Sequence, residues 1–212
     1  MICVSVAEPD FSMSLELVRQ FPFVELRLDA ADFTLEQVQQ LVQAATRCIV
    51  TFRPGKHGDN YRSASMKAAI EAGASMIDLE LDSPPGYRDN LMRVAKKNQC
   101  GVIISYHNFT ETPGTDDLDR VFDRCTEQQG DVVKIACMVN ESEDNLRLID
   151  LHRKNGKKVI ISMGEKGRFA RIAGLYLGSE FTFASPSNMR DTAPGQYSYH
   201  DLQKIIQLIN QE

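Results

Sequence analysis

Eight short apolar runs recur through the 212-residue chain at intervals of roughly 20 to 30 residues, each followed by a stretch with helical periodicity. Few folds tolerate that rhythm. The runs occupy residues 2–6, 23–28, 48–52, 75–81, 101–106, 131–136, 157–162 and 181–184. Between them, at about 12–20, 34–45, 62–72, 87–97, 115–128, 142–154 and 168–177, lie the helical stretches. Leu35, Val38, Leu41, Val42 and Ala45 show the apolar stripe of one, and Leu202, Ile205, Ile206 and Ile209 that of a last helix. Thr34 suits a helix start, as do Thr115 and Asp116, and Pro84-Pro85-Gly86 reads as a turn. The strands are short and mostly apolar, as parallel strands covered by helices should be. No Gly/Ser-rich linker or low-complexity segment breaks the series. The expectation is an α/β chain forming a single (β/α)8 TIM barrel over residues 1–212, with a doubly wound open sheet as the structural alternative.

The charges within the strands favour the barrel. In Val24-Glu25-Leu26-Arg27-Leu28-Asp29 the apolar residues take one side and the charged ones the other. Ile77 and Leu79 alternate with Asp78 and Glu80 in the same way, Thr51 shares a side with Arg53, and Ser105 with His107. On an open sheet each charged row would lie against a helix, whereas in a barrel it points toward the cavity at the C-terminal mouth. Lys134 stands in the middle of the apolar run Val132-Val133-Lys134-Ile135-Ala136, away from any wet surface. Glu25, Arg27, Arg53, Asp78, Glu80, His107 and Lys134 thus form one candidate set, with Met163 and Phe183 on the last two strands. The plain alternative for the carboxylates and arginines is a network of ion pairs sealing the barrel, since buried charges need partners whatever the function. It explains Lys134 and His107 together poorly.

Composition narrows the chemistry. A net charge of -5 and the lack of any basic run argue against nucleic acid as a partner. No apolar stretch is long enough for a membrane span. Met1-Ile2-Cys3-Val4 enters a strand without a signal-peptide pattern, so a cytoplasmic location is expected. The five cysteines, Cys3, Cys48, Cys100, Cys125 and Cys137, lie mostly in apolar runs without CxxC spacing and read as buried, reduced thiols. Four dispersed histidines offer no HxH or HExxH pair, so no metal is expected, and no glycine-rich phosphate loop follows a strand, so no nucleotide cofactor.

An amine and an imidazole facing one pocket suit carbonyl chemistry. The amine of Lys134 would condense with a ketone, the cationic imine would acidify the neighbouring C–H, and His107 would remove that proton. Glu80 would accept from the other ring nitrogen of His107 and fix its tautomer. The arginines offer forked sites for a carboxylate or phosphate. The Pro-, Gly- and Ser-rich segment from Ser185 to Gln196 is a candidate closing loop, and Gly55-Lys56-His57-Gly58 a second, with His57 at the rim. His152 and His200 read as solvated helix residues.

The chain resembles the type I 3-dehydroquinate dehydratases, the imine-forming barrels of the shikimate pathway. The likeness is carried by Glu25-Leu26-Arg27-Leu28-Asp29, Thr51-Phe52-Arg53, Asp78-Leu79-Glu80 and Ser105-Tyr106-His107-Asn108-Phe109. It continues through Val133-Lys134-Ile135-Ala136, Ser162-Met163-Gly164, Gly167 with Arg171, Thr182-Phe183 and Ala193-Pro194-Gly195-Gln196. The resemblance implies dehydration of 3-dehydroquinate to 3-dehydroshikimate by syn elimination, without cofactor or metal. Lys134, His107 and Glu80 would be catalytic. Arg171 would bind the substrate carboxylate, Glu25, Arg27 and Arg53 the ring hydroxyls, Met163 and Phe183 the apolar wall, and Thr192 and Gln196 would come from the closing loop. A homodimer is implied as well, although no interface stripe stands out. Set against that family, a barrel without the N-terminal hairpin that members often carry is expected, with His57 and Thr192 where many have glutamate and serine.

Two other functions are consistent with a buried lysine. One is a Schiff-base aldolase or transaldolase on a sugar phosphate, which needs a phosphate site after strands seven and eight; Glu165 in Met163-Gly164-Glu165-Lys166-Gly167 is an unfavourable neighbour for one. The other is a non-catalytic barrel that binds an acidic metabolite, with Lys134 as a charge anchor; such a site has no use for a His–Glu pair.

Overall fold

The computed structural model describes residues 1–186 and 195–210. Among these are eight α-helices and nine strands, in an α/β alternation. The strands are β1 (Ile2–Val6), β2 (Val24–Arg27), β3 (Cys48–Thr51), β4 (Met76–Glu80), β5 (Gly101–Asn108), β6 (Val132–Met138), β7 (Lys158–Met163), β8 (Thr182–Ser185) and β9 (Tyr197–Ser198). The helices are α1 (Phe11–Gln20), α2 (Leu35–Ala44), α3 (Asp59–Glu71), α4 (Pro85–Lys97), α5 (Thr115–Glu127), α6 (Ser142–Asp150), α7 (Arg168–Tyr176) and α8 (Tyr199–Ile209). The chain divides into two compact units, Val4–Ile103 and Met1–Cys3 with Ile104–Glu212. The division falls inside β1 and inside β5, so each of these strands gives residues to both units.

In the unit Val4–Ile103, β1 to β4 are parallel and ordered as in the chain. Val4 is in register with Val24, Arg27 with Thr51, and Thr51 with Asp78. Apolar residues such as Val24, Leu26, Ile49, Val50, Ile77 and Leu79 are buried along these strands. Asp10 caps α1 by accepting from the Met13 N–H, and Thr34 with Gln37 forms a capping box on α2, the start that its sequence suits. One expectation needs correction. The backbone leaves the extended conformation after Arg27 and forms a 3-10 turn at Leu28–Ala30, so Asp29 does not continue the strand alternation. The turn brings Asp29 onto its own neighbour's guanidinium: Arg27 Nε and Nη2 donate to its carboxylate at 3.0 and 2.7 Å.

In the other unit β6 and β7 run parallel with six residues paired, from Val133 with Lys158 to Met138 with Met163. The Glu180 N–H donates to the Lys158 carbonyl at 2.9 Å, and the Thr182 N–H to the Met1 carbonyl at 3.0 Å, so both the approach to β8 and its start are bonded. Tyr197 and Ser198 form a two-residue strand, β9, beside β8, to which no run of strand-forming residues points in the sequence. Ile172, Ala184 and Leu202 form a buried cluster here, with Ile2, Tyr197, Ile205 and Ile206 packed against it. The helix expected to reach Lys154 ends at Asp150 and tightens into a 3-10 turn at Leu151–Arg153. His152, read from sequence as solvated, is half-buried instead, and burial together with the charge of Lys158 lowers its pKa. The five cysteines are buried, and none of them forms a disulfide. No described helix is long and apolar enough to cross a membrane.

Candidate active site

Within Val4–Ile103 the charged row of β2 and its neighbours is a connected network. Glu25 is 4% exposed, and its carboxylate accepts from the Ser5 hydroxyl and the Thr51 hydroxyl, each at 2.8 Å. The register produces this directly: Ser5 is paired with Glu25, and Thr51 lies two residues beyond Ile49, the other partner of Glu25. Arg53, just past the end of β3, donates through Nη1 to Asp78 at 2.9 Å and approaches Glu80 at 3.5 Å. Burial works against the charge of Arg27 and Arg53. It is outweighed by Asp29, Glu25 and Asp78 around the first, and by Asp78, Glu80 and Glu25 around the second, so both pKa values are raised. Burial also opposes the charge of Asp29, yet the Arg27 hydrogen bond and charge bring its pKa below the usual value. Asp78 and Glu25 thus act on both arginines, Asp29 pairs with Arg27, and Glu80 lies beside Arg53.

In the second unit Lys134 is 5% exposed, at the middle of β6 in register with Val159. Its Nζ stands 4.3 Å from the centroid of the Phe183 ring on β8, within the range of a cation–π contact. Met163 closes β7 and is buried beside Met138 in the register. Arg171 lies in the first turn of α7, 2% exposed, and its Nε donates to the Ser162 carbonyl at 2.9 Å. That bond needs the helix start to lie on the strand end. Gly167 permits it, because a Cβ there would sit 2.6 Å from the Ser162 carbonyl oxygen. Gly195 makes a similar approach with φ of +71°, where a Cβ would meet the Gly164 carbonyl oxygen at 2.2 Å. Gln196, next in the chain, is buried. Thr192 lies outside the described residues, as does most of the expected closing loop.

His107 stands near the C-terminal end of β5, half-buried, with its ring stacked on Phe109. His57, expected on a mobile rim, is packed: its Nε2 is 3.0 Å from Asp32, and its ring lies against Phe52 and Tyr61. Among the described residues no cluster of His, Cys, Asp or Glu is placed to hold a metal ion.

The family model for type I 3-dehydroquinase matches residues 2–212. The chain belongs to this family. The 3-dehydroquinate dehydratase of Methanococcus maripaludis is 33% identical to it over 226 residues, covering 99% of this chain and 100% of that protein. A crystal structure of the 3-dehydroquinate dehydratase from Aquifex aeolicus is similar at a TM-score of 0.85 and 28% identity, covering 100% of both chains. The Geobacillus kaustophilus enzyme of that name shares the fold at a TM-score of 0.87 and 22% identity, over 100% of this chain and 92% of that one.

Two contacts of the site lie outside the sequence expectation. Ser5 falls inside the apolar run 2–6, where a lone hydroxyl between Val4 and Val6 is the available signal. Phe109 belongs to the Ser105–Phe109 stretch that carries the resemblance, but nothing in that stretch marks its ring as a partner of His107.

Proposed function

We propose that this chain dehydrates 3-dehydroquinate to 3-dehydroshikimate through an imine on Lys134, acting as a hydro-lyase built on a single (β/α)8 barrel over residues 1–212. The observation that carries the reading is an amine buried in mid-strand against an aromatic wall, in a chain of this family. The single barrel is supported by β1 and β5, which each give residues to both compact units, and by the bonds from Glu180 to Lys158 and from Thr182 to Met1. A homodimer and a cytoplasmic location belong to the same proposal.

In the reaction, the neutral amine of Lys134 adds to the C3 ketone and the carbinolamine loses water to give a protonated imine. His107 takes a proton from C2, and the C–H electrons move into an enamine. The C1 hydroxyl then leaves as water, protonated by the His107 imidazolium on the same face. Water hydrolyses the remaining imine, which releases product and regenerates the amine; the net change is loss of one water. Glu80 orients His107. Arg171, whose Nε is fixed by the Ser162 carbonyl, holds the substrate carboxylate through its guanidinium. Glu25, Arg27 and Arg53 bind ring hydroxyls, Met163 and Phe183 form the apolar wall, and Thr192 and Gln196 close over the ring. A network already paired, such as Arg53 with Asp78, keeps its donors aimed before substrate arrives.

The test is borohydride reduction of the protein with 3-dehydroquinate, followed by peptide mass spectrometry. The adduct is expected on Lys134 and absent from Lys134→Ala, and His107→Ala should lose turnover by about a hundredfold or more while still binding substrate. An adduct on another residue, or one that persists in Lys134→Ala, would overturn the assignment.

A further inference from the structure

Phe109 is a large apolar side chain left 62% exposed, yet it is not loosely placed. Its ring stacks on the His107 imidazole with centroids 5.8 Å apart and planes within 10° of parallel. The backbone beneath it is braced. Asn108 Oδ1 accepts from the Thr110 N–H at 3.0 Å, the Thr110 hydroxyl at 2.8 Å and the Glu111 N–H at 3.0 Å, closing a tight turn around Phe109. Two further bonds tie the turn to the end of β6: Asn140 Nδ2 donates to the Thr110 carbonyl at 2.8 Å, and the Thr112 hydroxyl to the Met138 carbonyl at 2.7 Å. A strand that ends this way fixes an aromatic ring where burial gives little return, since most of the ring stays in water. What the arrangement does achieve is to set an aromatic ring parallel to the imidazole, in an offset stack, where it resists rotation of the His107 ring.

We propose that Phe109 is a positioning residue for the dehydration: presented by the Asn108 turn, it holds the plane of His107 so that one ring nitrogen meets the proton to be removed. The proposal rests on the reading of His107 as the base. Proton transfer is sensitive to such alignment, because a displacement of about 1 Å can cost on the order of a hundredfold in rate. Phe109 itself exchanges no proton, so its loss should lower turnover without preventing the imine from forming on Lys134. Asn108 acts one step further back, and aspartate in its place would accept the same three bonds.

The experiment compares the full chain with Phe109→Leu, Phe109→Tyr and Asn108→Asp. Steady-state dehydration, borohydride trapping with 3-dehydroquinate and the NMR signals of the His107 ring protons are measured on each. Phe109→Leu is expected to lose about tenfold in kcat with KM little changed and with trapping intact. Its His107 ring protons should change chemical shift as the ring current of the stacked neighbour is lost. Phe109→Tyr and Asn108→Asp should keep both the rate and the signals of the parent. The proposal is overturned if Phe109→Leu retains kcat within about twofold, if the tyrosine variant is as impaired as the leucine one, or if trapping falls in step with turnover. If the parent protein forms no 3-dehydroshikimate at all, the dehydratase reading fails first and this role falls with it. An active parent with an indifferent Phe109→Leu sinks only the positioning role.

Discussion

Buried Glu25 shows how one side chain acquires its partners from register alone. Two hydroxyls converge on its carboxylate, one from each flanking strand, and neither comes from a neighbour in sequence. A hydrogen bond to a charged group in such a setting contributes about 1.5–3 kcal/mol, and a buried acceptor deprived of it is left poorly solvated. Thr51→Val keeps the shape and the strand preference of the residue while removing the donor at 2.8 Å. We expect a clear fall in the melting temperature, equivalent to about 1–3 kcal/mol, measured by differential scanning calorimetry. An unchanged melting temperature would mean that the carboxylate draws its stability from elsewhere. The same residue marks what a sequence can and cannot reveal. Glu25 was legible as a charge on the inward side of a strand, because alternation is local. Its hydroxyl partners were not, because cross-strand register depends on how 20 or so intervening residues pack.

At the scale of elements, the eight strand–helix alternations were legible, since apolar period and turn residues are written into each segment. The two-residue β9 was not, and some ends were misplaced. The strand expected to run through Asp29 stops at Arg27, and the helix expected to reach Lys154 stops at Asp150, in both cases by tightening into a 3-10 turn. Such endings are decided by side chains that pair across the turn, as Arg27 and Asp29 do, rather than by propensity. The junction of β7 with α7 is the strictest element boundary in the second unit. Gly167 has an ordinary φ of -85°, so a side chain there would be resisted by space and not by backbone conformation. Its Cβ would lie 2.6 Å from the Ser162 carbonyl oxygen, the acceptor that anchors Arg171. Gly167→Ala must therefore push the helix start off the strand end and loosen Arg171. We expect KM for 3-dehydroquinate to rise by about tenfold or more with the helix content by circular dichroism retained. A variant with unaltered KM would show that Arg171 does not need this contact to do its work.

At the scale of the molecule, the two compact units meet a constraint that ordinary domains do not. Domain boundaries fall in exposed linkers, whereas here the division cuts through β1 and through β5. A strand half of which belonged to an unfolded region would lose pairing along its whole length, so the units should unfold together. The cysteines supply a probe for each. Cys48 lies in one unit at 2% exposure, with burial pushing its pKa up to about 11 despite the Ser75 hydrogen bond. Cys137 lies in the other at 0% exposure, where burial pushes its pKa to about 12. Near neutral pH both thiols are protonated and covered, and alkylation of either requires the surrounding unit to open. Short pulses of iodoacetamide along a urea series, read by peptide mass spectrometry, should label Cys48 and Cys137 with one midpoint, which should coincide with the loss of far-ultraviolet ellipticity. Separate midpoints would mean that β1 and β5 can each come apart at the boundary, and that the chain folds as two cooperative halves instead of a single barrel.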